Sequence, residues 1–282
     1  MRASWLALVV GNTRLHWGQF DRGVLTRSWH TSHLPGSRVD RVRNQPYPQS
    51  AWLVIDGLVS EQRASASPQN VSLPIDLWIA SVVPEQTALW QQVVPDSQVV
   101  SRSHIRLKNI YPTLGIDRAI NLLGAKQILS WPILVIDGGT ALTFTAGVAD
   151  SVYGGAILPG IRLQLQSLVQ QTAELGYVLG SLMPTMLTGT QLEQSQLPER
   201  WASNTDGAIA SGIVYSTIST CVDYIADWWQ QFPTGAVVLT GGDGPLLYQY
   251  LQQRTPEVAS RVLVDSDLMF KGMQAYRREL TT

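Results

Sequence analysis

The chain is poor in the residues that staple a fold, chelate metals or bind nucleic acid. A single cysteine, Cys221, among 282 residues excludes an internal disulfide and any cysteine-rich zinc site. Lying inside a helical pattern, it reads as a small buried hydrophobe. Charged residues are only 15% of the total, and 20 Lys+Arg against 21 Asp+Glu leave a net charge of −1. No basic excess exists to neutralise a run of phosphates, so nucleic acid is excluded as a partner. The four histidines, His16, His30, His33 and His104, show no metal-ligand spacing and read as strand or surface positions. No apolar run reaches membrane-spanning length. The opening run Trp5 to Val10 is short and is broken by Gly11-Asn12-Thr13, with Arg14 and His16 close behind and no small-residue cleavage site. It reads as the buried first strand of a cytoplasmic protein. Also missing are a Gly-Lys-Ser/Thr phosphate loop and a Gly-x-Gly-x-x-Gly fingerprint, which removes two common nucleotide folds.

What is present is a hydrophobic fraction of 45% over a length beyond that of a typical single compact domain. The ten tryptophans are scattered, and packing, including at a subunit interface, is their default use. The apolar, β-prone run Trp5–Val10 and the alternating Arg14–Phe20 predict two strands joined by a tight Gly-Asn turn, with a third over Val24–Trp29. Thr31 to Gln49 and Ser65 to Pro68 read as loop. Leu77 to Val83 reads as a buried strand. Ile116, Ala119, Ile120 and Leu123 recur at three and four, which predicts an amphipathic helix with Asp117 and Arg118 in its first turn. Strands are expected over Ile133–Ile136, Ala141–Ala146 and Ala236–Thr240, and helices over Ile161–Thr172 and Gly207–Gln230. In the second helix Ala208, Ser211, Tyr215, Ile218, Val222, Ile225 and Trp229 would share a face. A last helix is expected to end near Arg277.

The strand, Gly-polar turn and strand of Leu6–Phe20 return at Ile133–Ala146. Aligning Gly11 with Gly139 pairs Asn12 with Thr140 and Val9 with Asp137. Two such hairpins point to a duplicated domain with a ligand between the halves, divided here as 1–112 and 113–282. A glycine turn lets backbone amides approach an anion, and neighbouring Ser, Thr or Asn adds donors. Gly11-Asn12-Thr13, Gly139-Thr140 and Gly241-Gly242 all have this chemistry, and three of them at strand ends favour phosphate binding over simple chain reversal. Asp137 closes an apolar strand, where its carboxylate needs either a cation or capped backbone amides. Asp117 with Arg118 serves either a helix dipole or a reaction.

Together these motifs resemble the type III pantothenate kinases, over nearly the whole chain. Leu8-Val9-Val10-Gly11-Asn12-Thr13-Arg14 is similar to the family's first phosphate motif. Tyr111-Pro112-Thr113-Leu114-Gly115-Ile116-Asp117-Arg118 is similar to its pantothenate motif, and Asp137-Gly138-Gly139-Thr140-Ala141-Leu142-Thr143 to its second phosphate motif. Gly154-Gly155-Ala156-Ile157-Leu158-Pro159-Gly160, Ser203-Asn204-Thr205 and Val237 to Gly244 complete the set. The resemblance implies an α/β fold of two duplicated actin-like ATPase (ribonuclease H-like) domains with a ligand cleft between them, and a homodimer. It implies phosphorylation of pantothenate by ATP with Mg2+, the first step of coenzyme A synthesis. Asp117 would be the general base. Tyr111, Gly115, Ile116, Arg118 and Thr205 would hold pantothenate with it. Val9, Val10, Gly11, Asn12, Thr13, Arg14, Leu15, His16, Thr140, Gly241 and Gly242 would line the ATP site. Asp137 would bind a monovalent cation, K+ or NH4+. The chain departs from the family pattern at Val9, where relatives carry Asp, and at Thr145, where many carry an acidic residue. A relative with a regulatory or binding role, and an actin-like kinase of another small hydroxyl substrate, are the alternative readings.

Overall fold

The protein is described here from a computed structural model covering residues 4–36, 76–171 and 196–281. The loops expected at 37–49 and at 65–68, and the end of a helix expected at Thr172, lie outside the described residues. Tertiary contacts divide the chain into two compact units. One comprises Met1–Ile105, Pro112–Ile120 and Met269–Thr282, and the other Arg106–Tyr111 and Asn121–Leu268.

The first unit holds a five-stranded sheet built from β1 (Ser4–Val10), β2 (Leu15–Asp21), β3 (Val24–Thr31), β4 (Leu77–Ser81) and β5 (Gln98–Val99), in the order β3-β2-β1-β4-β5. The two hairpins pair antiparallel, whereas β4 runs parallel to β1 and β5 parallel to β4. Because side chains alternate across a strand, Leu6, Leu8 and Val10 of β1 pack with Leu15, Trp17, Leu77 and Ile79 on one face. Trp90 and Val93 of the helix Pro84–Val93 cover them. The opposite face carries Trp5, stacked on Phe20, and Trp78, edge-on to Tyr276 of the helix Leu268–Thr281. On the same helix Arg277 lies over Trp5 and Trp78, and its guanidinium donates to Asp76 at 2.6 Å.

The second unit repeats the plan. Its strands are β6 (Ile133–Gly138), β7 (Ala141–Val148), β8 (Ser151–Pro159), β9 (Ala236–Thr240) and β10 (Val262–Val264), in the order β10-β9-β6-β7-β8. Read from each unit's third strand, the two orders and the two sets of strand directions are the same. The duplication expected from the two hairpins is therefore present in the topology. Leu134, Ile136, Leu142, Phe144, Val237 and Leu239 form one inner face, against Leu165 and residues of the helices Thr205–Gln231 and Gly244–Arg254.

The helix Thr205–Gln231 is long and apolar enough to cross a membrane by length and composition. Ile213, Val214, Thr217, Ile218, Cys221, Ile225 and Trp228 are instead buried within the second unit. Of the face expected from sequence, Ser211, Ile218 and Ile225 are buried. Tyr215, Val222 and Trp229 are half-buried and Ala208 is exposed. Cys221 is fully buried, as anticipated, and burial pushes its thiol up to about 12.

Candidate active site

In the first unit, β1 and β2 are closed by the pair Val10–Leu15, with Val9 opposite His16. The intervening turn is fastened by the Gly11 amide, which donates to the Arg14 carbonyl at 3.1 Å. His33 Nε2 lies 2.8 Å from the Gly11 oxygen, and the Val82 amide reaches the Val10 carbonyl at 3.1 Å. Val9, Val10 and Leu15 turn their side chains into the interior, so only their backbone can serve a ligand. Asn12, Thr13 and Arg14 are exposed at the tip, where donors to a phosphate are needed. His16 is half-buried against His30. Burial, and then the charges of His30 and Arg14, lower its pKa to about 4, so the imidazole is neutral at pH 7.

The same unit holds the start of the helix Ile116–Lys126. The Ala119 amide donates to the Gly115 carbonyl, so hydrogen bonding along the helix begins at Gly115. Arg102 Nη1 braces the approach by donating to the Leu114 carbonyl at 2.8 Å. Asp117 folds its carboxylate back over the first turn, where Oδ1 accepts the Arg118 amide at 2.9 Å. A β-carbon on Gly115 would stand 2.3 Å from that oxygen, so glycine is what leaves the carboxylate its place. Ile116 and Arg118 are buried, and Asp117 is half-buried.

In the second unit the parallel pairing of β6 with β9 sets Asp137 beside Thr240, which brings the turn after β6 next to the turn after β9. The Asp243 amide donates to the Gly138 carbonyl at 2.8 Å, and the Gly244 amide to the Gly241 carbonyl at 3.1 Å. Gly241 is held at φ +82, while the position of a β-carbon on Gly242 meets nothing within 4 Å. Thr140 is exposed, and its carbonyl accepts the Gly160 amide at 2.9 Å. Asp137 is half-buried, and its Oδ2 accepts from Asn121 Nδ2 at 2.7 Å. Thr205 opens the helix Thr205–Gln231, capped by Asn204, whose side chain accepts the Gly207 amide at 2.7 Å. Tyr111 and Thr205 are both exposed.

Asp137, Thr140, Gly241 and Gly242 are thus gathered at one end of one sheet, and the first turn shares a unit with Gly115 to Arg118. Among the described residues no group of three or more His, Cys, Asp or Glu side chains is arranged to hold a metal ion. Asn121 was not singled out by the sequence reading, although a polar residue in an apolar helix stripe is a usable signal.

The chain is similar to solved structures over nearly its whole length. One, from Campylobacter jejuni and assigned to the Baf family of transcriptional activators, gives a TM-score of 0.57 at 17% identity, covering 98% of each chain. Another, assigned as a 2-dehydro-3-deoxygalactonokinase from Sinorhizobium meliloti, gives 0.51 at 14% identity, covering 98% of this chain and 99% of that one. The repeated sheet and these likenesses define the class: a two-domain α/β fold of the actin-like ATPase and sugar-kinase type. The type III pantothenate kinase family model matches residues 5–227. Type III pantothenate kinases from Nostoc sp. (strain PCC 7120) and Synechocystis sp. (strain PCC 6803) are 42% and 37% identical. These alignments cover 96% of this chain and 93% and 89% of the relatives. That from Synechococcus elongatus is 36% identical, covering 99% of this chain and 98% of its own. The chain belongs to the type III pantothenate kinase family.

Proposed function

We propose that the protein transfers the γ-phosphoryl group of ATP to the primary hydroxyl of pantothenate, giving 4'-phosphopantothenate and ADP, the first step of coenzyme A synthesis. The observation that carries this reading is the family match over residues 5–227, which spans Gly115-Ile116-Asp117-Arg118 and both hairpin turns. In the transfer the hydroxyl oxygen bonds to the γ-phosphorus, the bond to the β–γ bridging oxygen breaks, and the hydroxyl proton passes to Asp117. Such chemistry asks chiefly for positioning and charge neutralisation. The Arg118 amide and the space over Gly115 fix the Asp117 carboxylate. Tyr111, Gly115, Ile116 and Thr205 hold pantothenate, and Arg118 pairs with its carboxylate. Val9, Val10 and Leu15 offer ATP their backbone, and Gly11, Asn12, Thr13, Arg14 and His16 belong to the same site. Thr140, Gly241 and Gly242 are likewise assigned to ATP.

Asp137 suits a cation. Its carboxylate ends a buried strand, a β-carbon on Gly241 would fill the space at its Oδ1, and the neighbouring Asn121 has a buried Oδ1 with no donor. We assign it K+ or NH4+; with Mg2+ on the nucleotide, such an ion supplies positive charge to the phosphates when bound. The protein works as a cytoplasmic homodimer, for which the exposed Tyr153, Ile157, Leu163 and Leu168 form an apolar contact surface. A second reading, a weakly active or silent relative with a binding role, is favoured by one observation. Val9, the counterpart of Asp137 in the first hairpin, is a buried hydrocarbon. An ADP-release assay with pantothenate, in KCl and in NaCl, tests both. Turnover that needs pantothenate and rises in KCl is expected; ATP binding with no turnover would establish the silent relative. Sedimentation of active enzyme as a monomer at micromolar concentration would remove the dimer.

A further inference from the structure

Every residue of the helix Ile116–Lys126 from Ala119 to Ala125 is buried, and all but Asn121 are apolar or glycine. Asn121 is 1% exposed. A leucine would pack there without seeking a partner, so the amide needs a reason. Its Nδ2 donates to Asp137 Oδ2 at 2.7 Å. An ionised carboxylate only accepts hydrogen bonds, which fixes the amide's orientation: nitrogen toward Asp137, oxygen away from it. That oxygen, Oδ1, is buried and has no hydrogen-bond partner. A buried acceptor left without a donor is uncommon in folded proteins and is of the kind that an ordered water or a cation takes up.

The two oxygens of Asp137 therefore have different neighbours. Oδ2 is engaged by Asn121, while Oδ1 lies 2.2 Å from where a β-carbon on Gly241 would stand, facing the turn after β9. With Oδ2 engaged, the carboxylate cannot rotate freely, and one oxygen is presented to the turn in a defined direction.

We propose that Asn121 is a positioning residue: it locks the Asp137 carboxylate so that Oδ1 faces the Gly241 turn, and so sets the affinity of this site for a monovalent cation. The inference rests on the assignment of Asp137 as the cation ligand. Partners that orient a ligating carboxylate typically account for about 10–100-fold in metal affinity when removed. The hydrogen bond involves none of the residues assigned to pantothenate, so the expected effect is on the potassium constant rather than on the pantothenate KM.

The test compares the full-length parent, Asn121→Leu, Asn121→Ser and Asp137→Ala. The first readout is the melting temperature titrated with KCl against NaCl at constant ionic strength. The second is the potassium concentration for half-maximal turnover beside the KM for pantothenate. The parent should melt higher in KCl than in NaCl. Asn121→Leu should stay folded, need roughly 10–100-fold more potassium for either effect, and keep its pantothenate KM within about twofold. Asn121→Ser, which keeps a hydroxyl donor on a shorter side chain, should fall between the two. If Asp137→Ala abolishes the potassium response while both Asn121 variants keep the parental potassium constant, the cation site stands and the positioning role is wrong. If the parent itself does not distinguish KCl from NaCl, the assignment of Asp137 fails and this inference falls with it.

Discussion

A β-carbon on Gly241 would stand 2.2 Å from Asp137 Oδ1 and 2.5 Å from the Gly138 carbonyl oxygen. The two turns of the second unit are therefore packed as one piece, and the glycine also adopts φ +82, which L side chains rarely take. Gly241→Ala should cost about 1–2 kcal/mol for the backbone alone, and more for the clash. A clear fall in melting temperature is expected, together with a loss of potassium response. An alanine variant as stable as the parent would mean that neither the backbone conformation at Gly241 nor its approach to Gly138 and Asp137 holds the two turns together.

Asp117→Asn should keep the fold, because its side-chain oxygen can still accept the Arg118 amide. Turnover should fall by roughly two to four orders of magnitude, the range for a positioned general base, while pantothenate binding by calorimetry changes little. Near-parental turnover would remove Asp117 from the role of base.

Val9 is 2% exposed and lies opposite His16, and a hydrocarbon there offers no lone pair to magnesium or to its waters. Loss of one electrostatic contact of this kind typically costs on the order of two to three decades in rate. Weak parental turnover with a raised magnesium requirement is therefore expected, and Val9→Asp should raise the rate and lower that requirement. Brisk parental turnover at low magnesium, with Val9→Asp merely unfolding the chain, would make Val9 a core residue and nothing more.

His16 gives the stability a pH dependence of known sign. Its pKa falls from 6.5 to about 4 on folding, so below about pH 6.5 the unfolded chain binds the proton that the folded chain refuses. Its stabilisation is whole above pH 6.5 and is lost as the pH drops toward 4, by up to about 3 kcal/mol. Denaturant titrations of the parent and His16→Gln from pH 7 to 4 check this: the parent should lose the greater stability. Parallel curves would show that the imidazole titrates normally.

The hairpins were legible because local signals sufficed. The apolar run Trp5–Val10, the alternation of Arg14–Phe20 and the glycine turns at Gly11 and Gly139 mark them directly. By contrast β8 (Ser151–Pro159) is marked in the sequence only by the family motif Gly154–Gly160, because Gly and Pro are depleted in strands and hide its periodicity. In the helix Thr205–Gln231 the expected stripe followed one repeat, whereas burial spreads from Ser211 and Val214 to Trp228 because the helix packs against more than one partner. The neighbourhood of Asp137 was the least legible. It depends on β6 pairing with β9 and on Asn121 reaching back from an earlier helix, and nothing local to the sequence at Asp137 encodes either.

The helix Leu268–Thr281 ties the first sheet to a segment far from it in the chain. Phe270 packs at Gly18, Tyr276 at Trp78, and Arg277 against Trp5 and Asp76, all residues translated long before it. A chain cut before Leu268 would therefore leave Trp5 and Trp78 without that cover, an exposed aromatic patch of the kind that drives association.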